Sequence, residues 1–272
     1  MGNRSIQLST ARDLSQSTWA AGDFSLVAAS NQIVSELLCE AIPLRAGQRV
    51  LDVATGSGNT ALAATRRATE VVGVDFVPAL LDRARERAHA ERARKVTFEE
   101  GDTENLPFPD ASFDVVLSTY GHMFAPDPAR AAQEMIRVCR PGGHIGFAAW
   151  TPQGLFGKVF DLHDKYNPPP EGSSPVTRWG DEEFVRERFG SAAQSFRFER
   201  RDRIFRALSV EQWFGFISQY LGPTVVTMER LDEPKRQAFK REMIGLMEGA
   251  NQSGDETLFA PAEYLEAVIK LR

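Results

Sequence analysis

Three carboxylates in this chain each follow a short apolar run. Val50-Leu51-Asp52-Val53 leads into Ala54-Thr55-Gly56-Ser57-Gly58-Asn59-Thr60; Val71-Val72-Gly73-Val74 ends on Asp75; Val96-Thr97-Phe98 runs on to Glu100-Gly101-Asp102-Thr103-Glu104. Glycines let a backbone approach a ligand closely and take angles that side chains forbid. An acid ending the second strand suits two ribose hydroxyls as donors. An acid beyond the third strand suits an adenine amino group, and Asp52, at the first strand's end, supplies negative charge beside the loop. Acids after strands also cap turns, but in an open α/β sheet the carboxyl ends line one crevice, so three of them together favour a shared pocket.

The elements that must position these acids are legible as alternating periods. Short, partly β-branched runs at 50–53, 71–74, 96–98, 115–117 and 145–148 suit strands buried on both faces. Helices are expected to open near Gly58, at Pro78 and at Pro128, with Asp127 as a cap. Alternation of this kind predicts right-handed crossovers and a mainly parallel, doubly wound sheet over 45–150. Before it, Leu26, Val27, Ile33, Val34, Leu37, Leu38 and Ala41 form one stripe of a helix over 25–41, stopped by Pro43. After it come helices at 154–165 and near 181–189, an extended segment near 194–206, helices at 209–221 and 232–249, and a final strand at 264–271. Three units are therefore expected: 1–44 as an N-terminal helical segment, 45–150 as the nucleoside-binding core, and 151–272 as substrate-binding or lid helices plus the sheet's last strands.

Composition narrows the function. The net charge of −5 gives no general attraction for phosphate backbones or anionic lipid, so nucleic acid and membrane are not expected partners. No apolar run reaches the ~18 residues of a membrane helix, and MGNRSIQLSTARDLSQ lacks the apolar stretch of a secretory signal. A cytoplasmic protein with a small-molecule substrate is expected. Cys39 and Cys139, both in stretches of helical period and in no CxxC pair, read as reduced core residues, and no metal site is expected.

The glycine loop alone is weak evidence, because Gly56-Ser57-Gly58-Asn59-Thr60-Ala61 also satisfies the loose dinucleotide pattern. The ordered set says more. Val50 to Gly58, Val72-Gly73-Val74-Asp75, Gly101-Asp102, Phe113-Asp114-Val115-Val116-Leu117-Ser118 and Arg140-Pro141-Gly142-Gly143-His144 together resemble the class I S-adenosylmethionine-dependent methyltransferases. Within that family the set looks like the ubiquinone/menaquinone-biosynthesis C-methyltransferase branch. The resemblance covers roughly 45–150 and departs at Ala54, where many members have the first glycine. It implies a Rossmann-like α/β fold: a seven-stranded, mainly parallel sheet with helices on both faces, an antiparallel last strand, and N- and C-terminal helical lid elements. It implies S-adenosylmethionine as cofactor, S-adenosylhomocysteine as product, and methyl transfer by in-line displacement to a small organic C- or O-acceptor. It places Asp52, Ala54, Thr55, Gly56, Gly58, Asp75, Phe76, Asp102, Thr103, Glu104, Ser118 and Thr119 at the cofactor, with Trp19 in a segment folded over it.

The segment after the fourth strand, Ser118 to Phe124, should pass between cofactor and acceptor. Enzymes of this kind that methylate adenine or glutamine nitrogens carry a Pro-Pro-aromatic motif here. Thr119-Tyr120-Gly121 stands in its place and disfavours that chemistry. His122 is the candidate general base, and Tyr120 the candidate proton partner or aromatic wall. His163, Tyr166, Trp179, Trp213, Phe214, Phe216 and Tyr220 are candidates for an acceptor pocket under a lid of helices 209–249, although aromatics at helical spacing more often form core. The basic run 196–206 reads as an edge strand with a solvated face. A nicotinamide-dependent oxidoreductase, a non-methylating cyclase or isomerase using the same cofactor, and a catalytically silent cofactor-binding protein remain as other readings.

Overall fold

Buried β-branched runs and capped helices assemble as alternate layers in the computed structural model, which describes residues 13–67, 70–170 and 173–272. The first twelve residues of the expected N-terminal segment lie outside it. The strands are β1 (Arg49–Val53), β2 (Glu70–Asp75), β3 (Val96–Glu100), β4 (Phe113–Thr119), β5 (Cys139–Trp150), β6 (Ala193–Ala207) and β7 (Leu258–Leu271). They form one seven-stranded sheet in the order β3-β2-β1-β4-β5-β7-β6. Pairing from β3 through β5 is parallel, and β7 runs antiparallel to both β5 and β6.

Helices cover both faces, as a parallel sheet requires. After α1 (13–20) and α2 (Phe24–Ala29), α3 (Gln32–Ala41), α4 (Asn59–Thr65) and α5 (Pro78–Ala90) pack one core around Leu38, Leu62, Ala84 and Phe98. The opposite core includes α6 (Pro128–Val138), α7 (Leu155–Tyr166), α8 (Glu182–Phe189), α9 (Val210–Tyr220) and α11 (Glu233–Ala250), with Met135, Leu162, Phe184, Trp213 and Phe239 buried in it. Pro128 follows Asp127, whose carboxylate accepts from the Ala129 and Arg130 amides. Gly58 takes φ +86 at the start of α4.

Several boundaries differ from expectation, each for a physical reason. The helix over 25–41 is two helices broken at Ser30-Asn31. The single stripe is therefore split: Val34 and Leu38 are buried, while Leu26 and Ile33 are 46% and 58% exposed. A further helix, α10 (Gly222–Arg230), opens on Gly222-Pro223 between the two expected near the C-terminus. Cys139 begins β5 instead of ending a helix, and Gly142-Gly143 lie inside that strand beside an irregularity in its pairing with β4. Strand β7 is much longer than 264–271. It tolerates Pro261 because β5 pairs only from Tyr264 onward, leaving one side of β7 without a ladder there. No helix among the described residues is long and apolar enough to cross a membrane.

Candidate cofactor and substrate site

The carboxyl ends of β1, β2 and β4 open into a cavity of about 930 Å³, counted to its mouth. Its walls include Trp19, Phe24, Ala54, Thr55, Gly56, Asp75, Phe76, Asp102, Thr103, Thr119, Tyr120 and Phe124.

On the β2 side Asp75 is buried but still lines the cavity. Its Oδ2 accepts the Gly56 amide at 2.8 Å and its Oδ1 the Val77 amide at 2.9 Å. Burial pushes its carboxyl up to about 6, with the backbone hydrogen bonds opposing. Gly56, at φ +53, has space where a Cβ would stand, with the Phe24 ring 3.9 Å away. A ligand can thus lie against bare backbone at this turn. Asp102 accepts the Glu104 amide at 2.9 Å, and Thr103 beside it lines the same wall. A nucleoside fits this donor and acceptor set: a buried acid at the second strand end, a second acid one strand over, and an open glycine between.

Asp52 stands behind the loop. Its Oδ2 accepts the Thr55 hydroxyl at 2.5 Å and the Ala61 amide at 2.9 Å, pinning both ends of the turn. Desolvation raises its carboxyl to about 7. It is not among the lining side chains, so its charge acts through the turn from behind. Three more of the expected residues are also not among the lining residues. The Cβ position of Gly58 meets Ala84 at 3.1 Å and Phe98 at 3.2 Å, so its conformation serves the packing of α4 against α5. Glu104 accepts the Asp127 amide at the N-terminus of α6. Ser118 donates to the Val53 carbonyl at 2.7 Å and is wholly buried.

Ala54 shows why glycine is common at its position, for it adopts φ 52. Its Cβ also fills the place where a side chain on Gly121 would go, 2.5 Å away. Thr119 accepts from the Thr60 hydroxyl at 2.8 Å and the Ser35 hydroxyl at 3.3 Å. Ser35, Asn59 and Thr60 join the wall without having been expected there. They sit on helices whose facing only the tertiary fold decides.

Over the mouth, Trp19 packs edge-on against Phe24 at 5.1 Å and Phe124 at 4.6 Å, joining the N-terminal helices to the segment after β4. That cover is braced from behind. The Cβ position of Gly22 lies 2.8 Å from the Tyr220 carbonyl, and that of Gly222 lies 2.0 Å from the Thr18 carbonyl. The C-terminal helices therefore hold the cover in place, and the cavity's aromatic wall comes from Trp19, Phe24, Phe76, Tyr120 and Phe124. His163, Tyr166, Trp179, Trp213, Phe214, Phe216 and Tyr220 are not among the lining residues. His163 instead bridges Thr227 at 3.2 Å and Thr224 at 3.4 Å, tying α7 to α10.

The two candidate catalytic residues part company. Tyr120 takes φ 63, lines the cavity and stacks on Trp150 at 4.1 Å. Burial holds its phenol well above the usual range, so it stays a protonated donor. The turn it makes sends His122 inward, 0% exposed, between Phe147 and Trp179 with centroids 4.6 Å from each. Neither ring nitrogen has a hydrogen-bond partner, and desolvation lowers its pKa to about 3. His122 is a neutral core residue away from the cavity, which corrects its reading as a general base.

A parallel sheet with this strand order, a glycine turn and acids at successive strand ends defines the nucleoside-binding class of Rossmann-like enzymes. Residues 51–147 match the methyltransferase domain family. Uncharacterized protein Rv1405c of Mycobacterium tuberculosis is 37% identical over 213 residues, 76% of each chain. Demethylmenaquinone methyltransferase of Deinococcus radiodurans is 45% identical over 130 residues, 46% of this chain and 54% of its own. Among solved structures, the YcgJ protein of Bacillus subtilis shares the fold with a TM-score of 0.61 at 20% identity, over 88% of this chain and 99% of that one. The chain belongs to the class I S-adenosylmethionine-dependent methyltransferase family, with S-adenosylmethionine as the family's cofactor.

Proposed function

We propose that this protein methylates a small organic molecule at a carbon or oxygen, with S-adenosylmethionine bound between the Gly56 turn and the acids Asp75 and Asp102. The observation that carries the reading is the meeting of Asp75, Gly56 and Asp102 on one wall with Tyr120 and Phe124 on the other. When bound, the cofactor supplies a methyl group on a sulfonium whose sulfur leaves neutral. The chain's own residues do the positioning. Asp75 orients ribose hydroxyls while its bonds to Gly56 and Val77 keep the turn closed. Trp19, Phe24 and Phe124 exclude water, and Tyr120 donates a hydrogen bond to the acceptor. A carbon nucleophile needs alignment more than a base, which agrees with an enclosed, neutral His122.

The partial likeness to demethylmenaquinone methyltransferase supports a small-molecule acceptor. The acidic net charge argues against nucleic acid. Cys39 and Cys139, both buried and free, suit a reducing compartment such as the cytoplasm. The test is formation of S-adenosylhomocysteine with quinols, phenols, fatty and polyketide acids, and amines as acceptors, with Asp75→Ala as control. Turnover of at least one acceptor, abolished in the control, is expected. Acceptor conversion with no S-adenosylhomocysteine formed would contradict the proposal.

A further inference from the structure

Strand β6 carries three arginines on one face, and two of them have acids. Arg197 and Arg201 both pair with Glu199 and with the buried Glu266 on β7. Arg203 has none among the described residues. It was expected on a solvated edge, yet it is 5% exposed, with its guanidinium over the Phe205 ring at 3.4 Å from the centroid. Only Nη2 is engaged, donating to the hydroxyl of Ser30 at 2.6 Å and to its carbonyl at 3.3 Å. Nε and Nη1 are buried with no hydrogen-bond partner.

A guanidinium keeps its charge at any physiological pH, and a buried charge left without a counter-ion is strongly unfavourable. Desolvation bears on it here, lowering its pKa to about 10. The phenol of Tyr120 is the second orphan. Its Oη is likewise buried and unpartnered, and it feels the charge of Arg203. The two are joined by stacked rings: Tyr120 on Trp150 at 4.1 Å, Trp150 on Phe156 at 4.4 Å, and Phe156 on Phe205 at 4.8 Å. Ser30, which holds Arg203, directly precedes Asn31 on the cavity wall. A cation and a hydroxyl, both short of an acceptor, therefore stand beside the cavity: Tyr120 on its wall, and Arg203, not itself a lining residue, behind the segment that carries Asn31.

We infer that Arg203 and Tyr120 are the recognition site for a carboxylate carried by the methyl acceptor, the three free N–H groups of Arg203 and the Tyr120 hydroxyl donating to it. This rests on the methyl-transfer reading only in calling the ligand an acceptor. One guanidinium in a dry, ring-lined place neutralises one negative charge, which selects a carboxylate over a dianionic phosphate. The ring stack suits an acid whose remaining surface is flat and apolar.

The test titrates the S-adenosylhomocysteine complex, by calorimetry, with benzoate and benzamide, naphthoate and naphthamide, hexanoate and hexanamide, and inorganic phosphate. At least one carboxylate is expected to bind about tenfold or more tightly than its amide, in line with charge-assisted bonds. Arg203→Met should erase that preference, Arg203→Lys should keep part of it, and Tyr120→Phe should weaken it severalfold. Affinity of Arg203→Met for S-adenosylhomocysteine should stay within about twofold of the parent, because Arg203 is not on the nucleoside wall. No preference for any carboxylate, a preference that survives Arg203→Met, or tighter binding of phosphate overturns the inference. If Arg203→Met fails to fold, the parent's comparison and Tyr120→Phe decide. Failure of S-adenosylhomocysteine to bind the parent strikes the methyl-transfer reading instead, and the carboxylate comparison is then read on the protein alone.

Discussion

Replacing Asp75 by alanine removes the acid on which nucleoside binding is argued to turn. In the free protein its carboxylate accepts the amides of Gly56 and Val77, one on each oxygen, which leaves each oxygen a further lone pair, and the residue lines the cavity. Two ribose hydroxyls donating to a buried carboxylate are each worth about 1.5–3 kcal/mol. Their joint loss predicts a fall in affinity for S-adenosylhomocysteine of roughly 10² to 10⁴. Asp75→Asn keeps the shape and one acceptor, so it should lose roughly 10- to 10²-fold. Stability should change less than affinity, because deleting a desolvated acid offsets the two amide bonds that go with it. Calorimetric titration of the folded variants, with thermal unfolding as a control, reads both quantities. An Asp75→Ala protein that folds and binds within about threefold of the parent would refute the assignment of this carboxylate to the ribose.

The same acid sets a pH dependence. Held up to about 6 in the free protein, it is ionised and ready above that pH. Affinity for S-adenosylhomocysteine should be full there and fall toward about tenfold per unit below it, whereas a flat profile down to pH 5 would contradict the role. His122 acts on folding instead of on binding. Its folded pKa of about 3 lies below the unfolded value, so the unfolded chain takes up a proton first and stability falls as pH drops below about 6.5. Between pH 6.5 and 5 this costs about 2 kcal/mol, which His122→Leu should remove in urea unfolding. An unchanged acid limb in that variant would show the imidazole is not enclosed. Gly121→Ala would push a methyl to 2.5 Å from both the Cβ and the carbonyl oxygen of Ala54. A loss of about 2–3 kcal/mol, or roughly 5–10 °C in Tm, is expected, partly restored by Ala54→Gly. No change in the single variant would mean the two turns do not touch.

The sequence was most informative where chemistry and period coincide. Asp75 and the Gly56 turn were legible because a short apolar strand, a glycine bend and an acid leave few other folds for so compact a pattern. The parallel core was legible for the same reason. What stayed hidden depends on direction. Whether the residue after Gly121 faces ligand or core turns on Tyr120 taking a left-handed φ, which no local pattern announces and which buried His122. Residues Leu26 and Ile33 fit one helical stripe until a break at Ser30-Asn31 rotated the halves apart. Helix α10, with Thr224-Val225-Val226-Thr227 after its proline, has poor intrinsic helix preference and is held by packing. Arg203 looked like one more surface charge in a basic strand. Only the paired acids of Arg197 and Arg201 set it apart, and those pairs span two strands.

The most direct test of the account is equilibrium titration of the purified protein with S-adenosylhomocysteine, NAD and NADP side by side. Saturation at one S-adenosylhomocysteine per chain, with no heat from either dinucleotide, is the predicted result. Binding of a dinucleotide in preference, or no binding of S-adenosylhomocysteine at all, would contradict it.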